Sequence, residues 1–156
     1  MTGQTGNPPT ELPDALAAIV EDFTALPERE RLQLLLDFSR NLPALPERLA
    51  AHRELLEPVL ECQSPVFLFV EVDGRSPEAK VSLFFDAPPE APTTRGFAGI
   101  LQEGLDGLSA AEVLAVPNDV PNRLGLTAAV SPLRLNGMAG MLFRIKRQVR
   151  DKSSTP

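Results

Sequence analysis

Apolar positions recur along the chain with two different periods, and the changes of period divide it into segments. Leu12, Leu16, Ile19, Val20 and Phe23 fall at three- and four-residue steps, the spacing that gathers side chains on one face of a helix, and Pro27 ends the run. Leu32, Leu35, Leu36 and Leu42 repeat that spacing over residues 28–41, with Glu28, Arg29, Glu30 and Arg31 on the wet side and Pro43 and Pro46 as stops. The two segments are expected to pack as a helical pair. A further turn of helix fits within residues 46–56, limited by Pro58, which also biases Glu57 away from helical angles.

The period then drops to two. Residues 66–72 are dense in Val, Phe and Leu and end at Asp73-Gly74, a turn dipeptide. In residues 79–86, Val81, Leu83 and Phe85 alternate with Lys80, Ser82 and Phe84, which predicts an antiparallel hairpin with its loop near residues 75–78. Pro88, Pro89 and Pro92 end it. Helical spacing returns at Ile100, Leu101 and Leu105, for which Thr93 or Thr94 offers an N-cap. Ser109 and Glu112 form a capping box for a shorter helix, and a loop with Pro117, Pro121 and Gly125 follows. Ser131 and Pro132 suit the N-cap and first position of a last helix to about Arg150, with Leu135, Met138, Leu142, Ile145 and Val149 on its apolar face. Helices, a meander and helices again imply an α+β domain whose small antiparallel sheet packs against helices. Two strands alone are marginal, so a third is expected in a segment read as loop.

Length adds the domain count. The 156 residues suit one domain, expected over residues 11–151, between a disordered leader at 1–10 and a disordered tail at 152–156. No apolar run approaches the roughly 18 residues of a membrane span, and residues 1–10 lack the basic and apolar regions of a signal peptide, so a cytoplasmic protein without a membrane role is expected. The net charge of -6 argues against general nucleic-acid binding. The charge is uneven: from Ser131 onward Arg134, Arg144, Lys146, Arg147, Arg150 and Lys152 face only Asp151, for a net +5 against -11 before it.

Candidate chemistry is sparse. Cys62, the single cysteine, lies in the loop between the helical half and the first predicted strand, and Glu61 beside it tends to raise its pKa. The bland alternative is a buried structural thiol. His52 is the only imidazole, and a nucleophilic pair with Cys62 requires the loop to fold back; otherwise it is a solvated or capping histidine on a short helix, next to Arg53 and Glu54. Cys62 and His52 alone cannot build a zinc site or an iron–sulfur cluster, so no metal is expected. Arg134 falls at about N3 of the last helix, where the dipole mildly disfavours a cation, and Arg95 is a weaker case of the same kind. The run from Arg144 to Lys152 complements the C-terminal end of the same dipole and reads as a solvated helix end.

At Cys62 the sequence Pro58-Val59-Leu60-Glu61-Cys62-Gln63-Ser64-Pro65-Val66-Phe67 resembles the signature of the SufE sulfur-acceptor family. Ser131-Pro132-Leu133-Arg134-Leu135-Asn136-Gly137-Met138 is similar to that family's Ser/Thr-Pro-x-Arg-x-Asn/Gln-Gly stretch, and Arg95-Gly96-Phe97 and Ser109-Ala110-Ala111-Glu112 fall where the family has its middle helix and cap. The chain differs from the usual pattern in Glu61, where Gly is common, in Glu57-Pro58 and in Phe67. It is closer to a subgroup with Pro-x-x-Glu-Cys-Gln-Ser-Pro.

The resemblance implies a SufE/IscU-like fold and a carrier that receives persulfide sulfur on Cys62 from a SufS-type, pyridoxal-phosphate-dependent cysteine desulfurase. It also implies stimulation of that enzyme and delivery of sulfur to a SufBCD-type iron–sulfur scaffold. Arg134, Glu61, Gln63 and Glu90 are the implied partner-facing residues. No cofactor is expected on the chain itself beyond a transient persulfide, since the carbon–sulfur cleavage belongs to the donor's cofactor. Two other readings stand beside it: a module that activates a desulfurase by contact alone, and a thiol enzyme using Cys62 with His52. Self-association stays open.

Overall fold

A computed structural model describes residues 12–154. The chain runs α1 (Asp14–Ala25), α2 (Glu28–Asn41), α3 (Glu47–Ala50), a 3-10 turn (Arg53–Leu55), β1 (Glu57–Pro58), β2 (Phe67–Val72), β3 (Val81–Asp86), α4 (Pro92–Leu105), α5 (Ala110–Leu114), α6 (Val120–Arg123) and α7 (Pro132–Ser153). The expected leader at 1–10 lies outside the described residues.

The three strands form one antiparallel sheet in the order β1-β2-β3. The third strand expected from stability arguments is β1, which includes Glu57, the residue that Pro58 biases away from helical angles. The β2–β3 register pairs Leu68 with Phe85, Val70 with Leu83 and Val72 with Val81, so one face of the sheet is apolar and lies on α7 and α4. On the opposite face Phe67, Phe69 and Phe84 are half-buried beneath Arg53, Lys152 and Arg48, whose cationic heads sit 5.3, 4.1 and 5.3 Å from the ring centres. One apolar core joins α1, α2, the sheet, α4, α5, α6 and α7.

Four local expectations are corrected. Leu32, expected on the buried face of α2, is exposed, because α2 meets α4 through Leu35 and Ser39. Neither Thr93 nor Thr94 caps α4; its N-cap is Ala91, and Pro92 takes the first position, where a preset φ and a missing N–H cost nothing. The loop holding Pro117, Pro121 and Gly125 contains the short α6. Finally α7 runs to Ser153, so Lys152 and Ser153, expected in a disordered tail, form its last turn. Lys152 Nζ donates to Val70 O at 2.5 Å, which gives that turn a reason to stay wound.

The other two of the three capping predictions hold. Ser109 and Glu112 make a reciprocal box at 3.2 and 3.0 Å, and Ser131 Oγ accepts from Arg134 N at 3.3 Å. Helix α7 is also stitched to the sheet: buried Gln148 accepts the Val70 N–H at 3.0 Å. Gln148→Leu leaves that buried donor unpaired, and the expected cost is about 1–3 kcal/mol in a urea melt. A variant as stable as the parent overturns this account.

Candidate functional site

Cys62 sits at the tip of the hairpin loop between β1 and β2. The feet of this loop are fixed, since Val59 and Val66 are buried and Val59 N donates to Val66 O at 2.9 Å. Inside it Cys62 N donates to Val59 O at 3.1 Å, a tight turn that aims the side chain at the first turns of α7. There it meets Gly137: a Cβ on that residue would lie 2.9 Å from Cys62 Sγ. One turn further along, a Cβ on Gly140 would lie 2.7 Å from Glu61 Cδ. Two dents in one helix thus receive two consecutive side chains of the loop. Glycine inside a helix costs roughly 0.5–1 kcal/mol relative to alanine, so each dent has an energetic cost.

A small cleft surrounds the thiol, lined by residues 61–64 on the loop and by Thr94, Leu133, Arg134 and Gly137 across from it. Its volume of about 40 Å³ is room for a water or for one more heavy atom on the sulfur. Leu133 of this lining is 53 % exposed, and Leu60, the loop residue before Glu61, is 80 % exposed. Among the described residues the exposed Arg134 guanidinium has no hydrogen-bond or ion-pair partner.

Of the residues singled out in the sequence, Glu61, Cys62, Gln63 and Arg134 are brought together here. Glu90 is exposed on the turn before α4 and does not line the cleft. His52 does not line it either; it is exposed, its Nδ1 lying 3.2 Å from Glu54 Oε2, so the fold gives Cys62 no imidazole neighbour in the cleft. Arg95 is a tie: its guanidinium donates to Ser39 O at 2.9 Å and Ala87 O at 2.5 Å. Among the described residues no group of three metal-ligating side chains occurs, and no helix is long and apolar enough to cross a membrane.

Sequence reasoning missed Gly137, Gly140, Arg144 and Glu57. Arg144 Nη1 donates to Glu61 Oε1 at 2.6 Å, and its Nε lies 3.5 Å from Glu57 Oε2. Arg147 pairs with Glu57 as well, and Gln148 donates to Glu57 Oε1 at 2.8 Å. The basic run is therefore largely spent inside the molecule rather than solvated. The available signal was the pair of glycines inside a strong helical pattern, which marks a close approach.

Burial pushes the Cys62 thiol up to about 11, the Glu61 carboxylate adds to that, and Arg144 opposes it. The resting thiol is protonated at neutral pH. Iodoacetamide is expected to alkylate it about tenfold or more slowly than a free thiol at pH 7, with a rate that climbs toward pH 11. Alkylation at the free-thiol rate contradicts this. An unfolded thiol ionises near 9.0, before the folded one, so this contribution to stability is full below pH 9.0 and is lost as pH rises toward about 11.

Comparison with known proteins gives the site its context. An uncharacterised SufE-like protein of Mycobacterium tuberculosis is 54 % identical over 143 residues, covering 92 % of this chain and 96 % of that one. The cysteine desulfuration protein SufE of Plasmodium falciparum is 24 % identical over 133 residues, covering 84 % of this chain and 52 % of its own. The solution structure of a hypothetical protein from Thermus thermophilus superposes with a TM-score of 0.77 at 40 % identity, over 90 % of this chain and 96 % of that one. The family described as "SufE: Fe-S metabolism associated domain" matches residues 17–149, from the first helix through the glycine-dented helix that seats Cys62; the chain belongs to the SufE family.

Proposed function

We propose that this protein is a sulfur carrier: Cys62 receives sulfane sulfur from a pyridoxal-phosphate-dependent cysteine desulfurase and passes it on for iron–sulfur cluster assembly, to a scaffold of the SufBCD type. The observation that carries the reading is the position of the chain's single thiol, at the tip of a loop with fixed feet, in a cleft lined by exposed Leu133 and an unpaired Arg134, with exposed Leu60 two residues away on the same loop. Exposed apolar side chains beside a reactive atom suit a protein partner rather than a small molecule. The balance is simple. The Cys62 thiolate attacks the outer sulfur of the donor's persulfide, a new sulfur–sulfur bond forms on Cys62, the donor's own sulfur–sulfur bond breaks, and its cysteine leaves as a thiolate. The proton of the resting thiol has to be lost first, which the high resting pKa hinders until the loop leaves the cleft. Arg134 is positioned to orient the donor's persulfide or a carboxylate at the docking face, with Glu61 and Gln63 beside it and Glu90 at the periphery. The chain needs no cofactor of its own for this step, and the setting is the cytoplasm.

The test is intact-protein mass spectrometry after incubation with a cysteine desulfurase, pyridoxal phosphate and cysteine. A gain of about 32 Da that reductant reverses is the expected result. A protein that binds and stimulates the desulfurase without any gain is a contact-only activator, and one that does neither overturns the reading.

A further inference from the structure

The tip of the Cys62 loop is held in an unusual way. Among the described residues, the one side-chain hydrogen bond from residues 60–65 to another element is Glu61 accepting from Arg144 at 2.6 Å. Leu60, Gln63 and Pro65 project into solvent. The seat for this single bond is built on three levels. Gly140 leaves the space that Glu61 fills, as any Cβ there would lie 2.7 Å from Glu61 Cδ. Arg144 also donates to Gly140 O at 3.1 Å, which fixes its head over the dent. Glu57, held by Arg147 and Gln148, stands behind it as a second carboxylate. With its side chain 12 % exposed, Arg144 is an enclosed and permanent charge, so it has a standing demand for counter-charge. Glu57 can supply part of that demand when Glu61 leaves, because Glu57 belongs to β1 and stays with the sheet.

We propose that Glu61 and Arg144 are positioning residues, a clasp that holds the Cys62 loop closed on α7 and sets how often the thiol leaves its seat over Gly137. The pair differs from a general stabilising ion pair in where it acts. Glu61 and Cys62 are adjacent in sequence, and their seats are one helical turn apart, so releasing the carboxylate releases the sulfur with it. The pair also balances the field at the thiol, since the carboxylate disfavours the thiolate and the guanidinium favours it. Arg134 is the remaining charged side chain lining the cleft. The purpose assigned to the clasp rests on Cys62 being the sulfur acceptor, whose loop must open to meet a donor. Its existence does not, and the test is run on the free protein so that the two readings fail separately.

The experiment compares the parent with Glu61→Gln, Arg144→Gln and the double variant by two readouts. Amide hydrogen exchange over residues 60–65 reports opening. Thiolate ultraviolet absorbance against pH reports the ionisation of Cys62, without interference because the chain has one Cys and no Tyr or Trp. Each single variant is expected to speed exchange of the tip on the order of tenfold, the effect of losing a charge-assisted hydrogen bond. The double variant adds little further, because either change already opens the clasp. The thiol pKa is expected to fall in Glu61→Gln and to rise in Arg144→Gln, a divergence that mere loosening of the fold does not produce. Should Arg144→Gln fail to fold, Arg144→Lys and Glu61→Gln carry the comparison, the lysine keeping the charge and an intermediate exchange rate. Tip exchange within twofold of the parent in Glu61→Gln, or additive effects in the double variant, overturns the proposal. A protein that passes this test yet gains no sulfur from a desulfurase keeps the clasp and loses the carrier reading.

Discussion

Cys62→Ser is expected to abolish sulfur acceptance, a loss of more than about a hundredfold, while leaving the fold in place. The reason is chemical: a hydroxyl ionises far above any thiol and forms no persulfide, and the chain has no second cysteine to take over. Serine is nearly isosteric with the half-buried thiol, and the seat over Gly137 accepts it without a clash. Stability is therefore expected within about 1 kcal/mol of the parent, as for other small polar changes that leave no buried group unpaired. Radiolabelled sulfur transferred from the desulfurase, counted on parent and variant after non-reducing electrophoresis, reads the result. Label that persists on the serine variant overturns the assignment. The same variant added to a desulfurase assay separates transfer from contact: stimulation that survives undiminished belongs to the docking face rather than to the thiol.

The largest effect on stability is expected at the crossing of α2 and α4. A Cβ on Gly96 would lie 2.5 Å from Leu35 O and one on Gly99 2.5 Å from Phe38 O, and in both cases the obstacle is backbone. Neither carbonyl can move without breaking its own helix. Gly96→Ala and Gly99→Ala are each expected to cost about 1–3 kcal/mol or more by forcing the helices apart, despite the better helix propensity of alanine. Gly104 is the internal control: its added Cβ meets Leu16 Cδ1 at 2.8 Å and Leu16 Cβ at 3.2 Å, with backbone no nearer than 3.4 Å, so Gly104→Ala is expected to cost less. Urea denaturation of the three variants gives the order directly. Equal stability at all three positions means that the crossing tolerates a wider spacing than its geometry implies.

Much of the architecture could be read along the chain because its causes are local. The three-four spacing of Leu16, Ile19 and Phe23 and the caps at Ser109 and Ser131 act within a turn or two, and all are found where expected. The β2–β3 hairpin was legible for the same reason, its alternation and its turn being neighbours. What the sequence left open or misplaced shares a different feature. A third strand is expected but its position is not, because β1 is two residues long and has no period to detect; what makes it a strand is β2 alongside it. Leu32 belongs to an apolar stripe by spacing, yet the close approach at Gly96 and Gly99 narrows the contact to other residues of α2.

The site divides along the same line. The sequence by itself determined that one thiol carries any sulfur chemistry, that it lies in a loop beside Glu61, and that Arg134 opens the last helix; each follows from residue identity or from neighbours in the chain. Only the tertiary structure decided that the thiol is seated over Gly137, where burial pushes its pKa further up, and that Arg144 holds its loop. Glu61 and Arg144 are separated by 83 residues, and Glu57 and Arg147 by 90. Read locally, those cations complement the C-terminal end of a helix dipole, which is correct and incomplete. Periodicity and propensity fall off within a few residues, whereas an ion pair depends on distance through space, and that distance is set when the β1–β2 hairpin closes onto α7.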